Sequence, residues 1–160
     1  AAEAHFREAL SIDPSDHYLL TAYADWLLDQ HQPAQVVKIL DRQQRTDALL
    51  LRHALALKAL NSPDLAAAVE QLRARFAASR LRGDRVHLRE EARFTRELLG
   101  DNPAALALAR DNWAVQKEVP DLRLLLETAL ASNDVATVDS VRQWLARSRA
   151  EDVVINRLLR

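Results

Sequence analysis

Residues 2–14 read A-E-A-H-F-R-E-A-L-S-I-D-P, and the fold can be read outward from them. Ala2, Phe6, Ala9 and Leu10 recur at helical spacing and gather on one side of a helix. Small alanines let two helices approach closely, and the Phe6 ring fills the gap between them. Pro14, behind Ser11-Ile12-Asp13, stops the helix because proline lacks a backbone N–H and its ring clashes with the preceding turn.

The same punctuation recurs along the chain. The polar turns His31-Gln32-Pro33, Asn61-Ser62-Pro63 and Gly100-Asp101-Asn102-Pro103 each set proline at the first turn of a new helix, where its missing N–H costs nothing. A fourth turn, Ser132-Asn133-Asp134, lacks the proline but keeps the capping residues. From His31 to Asn61, Gly100 and Asn133 the steps are 30, 39 and 33 residues. They average 34, the size of a two-helix repeat. The predicted helices cover about 1–12, 16–30, 33–44, 46–60, 63–82, 84–99, 102–117, 120–131, 134–148 and 151–160. Gly83-Asp84 divides what is otherwise one very long helix, with glycine suited to the left-handed residue beyond a helix end.

Composition agrees. Alanine and leucine make up about a third of the 160 residues, with two glycines and few β-branched positions, which favours helix and argues against a sheet. A net charge of −1 lacks the basic excess of a dedicated nucleic-acid binder. Without cysteine there are no disulfides or thiolate metal sites, and the chain suits cytoplasm and periplasm equally. No apolar run reaches the length that crosses a bilayer. The expected organisation is one helical-repeat domain over 1–160, entered partway through a repeat at its N-terminus.

The pattern A-x3-F-x2-A-L-x3-P, followed by Ala24 and Ala54 at the small-residue place of the next two first helices, resembles the tetratricopeptide-repeat family. Arg93 and Leu126 stand at that place in the third and fourth pairs, so either those repeats are degenerate or the register there shifts by one. The resemblance implies an all-α, right-handed solenoid of antiparallel helix pairs. It also implies a concave groove lined by the first helix of each pair, where a peptide or helix of another protein lies. Carried over position by position, the groove comprises Tyr18, Thr21, Asp25, Leu28 and Asp29, then Ala48, Leu51, Leu55 and Lys58. It continues with His87, Glu90, Phe94 and Glu97, and with Arg123, Glu127 and Leu130. The paired Lys and Asn residues with which some members clamp a C-terminal carboxylate are not evident. The groove's charged positions sum to an acidic surface, which implies a basic, amphipathic partner.

Other chemistry finds little support. The five histidines are never three or four apart, and His87 with Glu91 alone makes no metal site. Two glycines build no phosphate-cradling loop, and no serine sits in a glycine-flanked elbow. No cofactor and no catalysis are expected. Arg85, Arg89, Arg93 and Arg96 form one stripe, readable as a site for an anion or as a solvated flank balanced by neighbouring carboxylates. Trp113, on the stripe with Ala105 and Ala109, is expected between helices. Stacking of exposed repeat ends on a second copy is one alternative to partner binding, and an anion or small-molecule sensor using the arginine stripe is the other.

Overall fold

A computed structural model describes residues 2–84 and 87–160. Among the described residues there are ten α-helices, one π-helical segment and no strand. The chain divides into two compact units, Ala1–Asp84 and Arg85–Arg160. No described helix is long and apolar enough to cross a membrane.

The first unit contains α1 (Ala2–Ile12), α2 (His17–Asp29), α3 (Pro33–Ile39), α4 (Asp47–Ala59) and α5 (Leu65–Leu81). Helix α2 packs on α1, α3 and α4, and α4 packs on α3 and α5. The apolar stripe Leu20, Tyr23, Ala24 and Leu27 of α2 meets Val36, Leu40, Leu49 and Ala56 in one core. Phe6 joins it from α1, stacked 4.9 Å from Tyr23, in the gap-filling role its spacing predicts.

The second unit contains α6 (Leu88–Phe94), which continues as a π-helical segment (Thr95–Leu99), then α7 (Asn102–Val115), α8 (Val119–Ala131), α9 (Val135–Ser148) and α10 (Val153–Leu158). Helix α7 packs on α6 and α8, and α8 also touches α6, α9 and α10. Its core joins Ala92, Leu106, Ala109, Leu122, Leu125, Leu126, Ala129, Val141 and Ile155. Trp113 is partly buried rather than enclosed. It meets Trp144 edge-on at 5.3 Å, and the Lys117 ammonium lies 5.5 Å from its ring centre.

The turns explain the repeat. His31, Asn61, Gly100 and Asn133 all adopt left-handed backbone, with φ of 56°, 51°, 74° and 53°. After α2, the His31 N–H donates to the Leu28 carbonyl and the Gln32 N–H to the Leu27 carbonyl. Asn61 with Ser62 and Asn133 with Asp134 close α4 and α8 by the same pair of bonds, a Schellman ending. Asp16, Thr46 and Glu118 are the N-caps of these three helices, and each stands 15 residues before its left-handed residue. The three helices are thus one design in three copies.

Two boundaries depart from expectation. Helix α3 stops at Ile39 rather than near 44, because Arg42 turns left-handed (φ 59°) and the Gln44 side-chain amide donates to the Leu40 carbonyl at 2.7 Å. Helix α6 begins at Leu88 rather than near 84.

Candidate binding faces

The π-helical segment resets the register of the second unit. Ala24, Ala54 and Leu126 each lie seven residues before the left-handed residue of their helix, and each is 0 % exposed. Counting seven back from Gly100 gives Arg93, yet the fully buried residue is Ala92, eight back. The Asp101 N–H donates to the Thr95 carbonyl, six residues behind it instead of the five seen at the other turns. A π-helical turn accommodates one extra residue without breaking the helix. Every position of α6 before the π segment is therefore displaced by one.

This displacement corrects the groove assignment in α6. Glu90 and Phe94 are 8 % and 3 % exposed and belong to the interior. Arg89 and Arg93 take their places, with side chains 26 % and 19 % exposed. The arginine stripe and the expected groove wall are thus one surface in this unit. Arg85 lies outside the described residues, and the half-buried His87 begins the turn that leads into α6.

On that surface the charges meet carboxylates. Arg89 donates to Glu118 at 3.0 Å and lies 3.3 Å from Asp121 and 3.7 Å from Glu90. Arg93 donates to Glu97 at 2.8 Å, and Arg96 to Glu127 at 2.7 Å and to Glu97 at 3.2 Å. Arg123 donates to Glu127 at 2.8 Å. Burial pushes the Glu97 carboxyl up, but Arg93 and Arg96 outweigh it and hold it below the ordinary range. For Arg89, burial opposes the charge, and Glu90, Asp121 and Glu118 together raise its pKa. Four arginines thus interlock with five carboxylates, so the face is nearly neutral and alternates in sign.

The network is anchored below the surface. Asp121 is 0 % exposed and accepts from the Asn112 side chain at 2.7 Å and from the Glu118 backbone N–H at 3.0 Å. It is the N3 residue of a capping box opened by Glu118. The E-V-P-D run at 118–121 carries the signal for this cap, although helical spacing alone gives Asp121, Asn112 and Glu118 no role.

In the first unit the equivalent face lies on α2 and α4. Arg52, with its side chain 6 % exposed, grips both oxygens of Asp25, its Nη2 at 2.7 Å. Asp29, Lys58 and Tyr18 are exposed, Tyr18 at 83 %, while Thr21 and Leu28 are half-buried. Leu51 and Leu55, carried over as groove residues, are 0 % and 7 % exposed and belong to the core. Ala48 is half-buried, and in the second unit Leu130 is exposed. Arg52 had no place in the groove assignment, although a lone arginine inside L-L-L-R-H-A-L-A-L invites a buried partner.

No group of three or more metal-ligating side chains occurs among the described residues. No protein-family model, curated protein or solved structure matches the chain.

Proposed function

We propose that the chain is a protein-binding module in which each unit is a stretch of tetratricopeptide-like, right-handed solenoid built from antiparallel helix pairs. The leading helices of the pairs, α2 with α4 and α6 with α8, present the binding face. The observation that carries this reading is the recurrence of one 15-residue design in α2, α4 and α8, from N-cap to left-handed turn. It is supported by contacts within each unit, in which α2 meets both α3 and α4, and α6 meets both α7 and α8. Stacking of this kind leaves one side of the leading helices uncovered, and uncovered helix faces are where repeat proteins bind.

The ligand class is an amphipathic peptide or helix. The register shift replaces Glu90 and Phe94 by Arg89 and Arg93, which removes the acidic excess behind the expectation of a basic partner. A segment carrying both signs of charge fits better, because it can exchange partners with the ladder of α6 and α8. Pairing of Arg89, Arg93 and Arg96 with carboxylates supports a positioning role for these side chains over capture of a free anion.

Peptides selected from a random display library on the immobilised chain provide the test. Reversing one rung with Arg93→Glu and Glu97→Arg keeps that ion pair, gives up the Arg96–Glu97 contact and inverts what the partner meets. Binding should fall by about tenfold or more, as for a mismatched charge contact. Reversing Asp139 and Arg142, an exposed pair on α9, should leave binding unchanged. Equal loss from both reversals would contradict the assignment of the face. A second reading, self-association, is favoured by the exposure of Leu81 at 90 %, Ile12 at 83 % and Val153 at 75 %. Light scattering of the free chain separates the two, since concentration-dependent growth in mass supports self-association.

A further inference from the structure

A trough of about 410 Å³ lies in the first unit, away from the α2–α4 ion pair, and nothing so far assigns it. Its walls are two helical stripes of matching spacing: Arg7, Leu10 and Ser11 on α1, and Gln35, Lys38 and Ile39 on α3. Tyr23 of α2 lies between them. Both α1 and α3 pack on α2, and the trough is the space left between their side chains. In other places an arginine bridges such a space. Arg110 of α7 reaches Asp134 and Thr137 at the start of α9, and Arg75 of α5 reaches the carbonyls of Gln44 and Arg45. Here Arg7 turns back along its own helix to Glu3 at 2.6 Å, and the trough stays open.

We infer that this trough is a binding site for a small organic monocarboxylate with an apolar body. Its volume falls at the lower end of the roughly 300–1,000 Å³ typical of small-molecule sites. Leu10 and Ile39 supply apolar surface for a carbon skeleton, the buried Tyr23 closes the floor, and Lys38 and Arg7 supply cationic groups on opposite walls. Glu3 already balances Arg7, whereas Lys38 makes no ion pair among the described residues. The excess of one positive charge suits a monoanion better than a phosphate dianion. Ser11 and Gln35 add polar contacts at the rim. An open trough buries only part of its ligand, so the affinity should be modest, with Kd about 0.1–1 mM.

The test is an amide-resonance titration of the whole chain with 4-phenylbutyrate and, separately, with its neutral analogue 4-phenylbutyramide. The carboxylate should shift resonances of 7–11, Tyr23 and 35–39, and the amide should bind about tenfold more weakly or worse. Lys38→Glu, a change at an exposed side chain, should leave the remaining spectrum intact and weaken carboxylate binding by about tenfold. Inorganic phosphate should compete poorly. Equal binding of amide and carboxylate, shifts centred outside these residues, or no shift up to about 10 mM carboxylate would overturn the site. The peptide test of the α2–α4 and α6–α8 faces reads different residues, so either result can fail alone.

Discussion

Between α2 and α4 the ion pair of Arg52 with Asp25 crosses beside a core of leucine, alanine and tyrosine. Between α6 and α8 the crossing is a ladder, in which Arg89 and Arg96 reach Glu118, Asp121 and Glu127 on the neighbouring helix. The two faces occupy the same place in their repeats. The first sets its ion pair against a buried aliphatic and aromatic core. The second couples its charges to a buried cap at Asp121 and to a helix widened by one residue. The surface pattern of the second therefore depends on the fold beneath it.

The largest test of this contrast is Phe94→Ala. A side chain 3 % exposed in the second unit should cost about 3–5 kcal/mol when removed, by lost burial and the cavity left behind. A denaturation midpoint unchanged from the parent would return Phe94 to the surface and cancel the register shift. Next comes Asp121→Ala against Arg52→Met. Loss of Asp121 strands the buried Asn112 amide and one contact of Arg89, at about 3 kcal/mol. Loss of Arg52 leaves Asp25, whose side chain is 32 % exposed and can hydrate, at about 1 kcal/mol. Similar costs for the two variants would erase the distinction between the faces.

Acid should act in the same direction. The folded Glu97 carboxyl titrates below its ordinary value. Its contribution is complete above the unfolded value, near pH 4.3, and is lost as pH falls through the lower folded value. Glu97→Gln should therefore flatten the acid limb of a plot of Tm against pH. A limb of unchanged slope would show that the ladder is not what acid dismantles. The smallest effect belongs to Tyr18→Ala. At 83 % exposure this side chain should change stability by no more than about 0.5 kcal/mol while lowering affinity for a selected peptide.

The order of helices was legible because most boundaries are written locally: a proline or cap opens the helix and a polar turn closes it. Asn61 and Asn133 could be picked out as turn residues for the same reason. Face assignment was harder. Helix α4 is apolar nearly all round, so its sequence cannot say which leucines face outward, and Leu51 and Leu55 were placed on the wrong side. In α6 the extra residue of the π segment leaves no mark in composition, and it turned Arg93 into an apparent substitute for alanine. The early end of α3 depends on Gln44 reaching the Leu40 carbonyl, a contact that propensity does not encode.

Hydrogen exchange of the chain with and without a selected amphipathic peptide tests the assignment of the binding face most directly. Binding there predicts added protection within 17–29 and 47–59, or within 88–99 and 119–131, with α5, α7 and α9 unchanged. Protection confined to α5, α7 or α9 would contradict it.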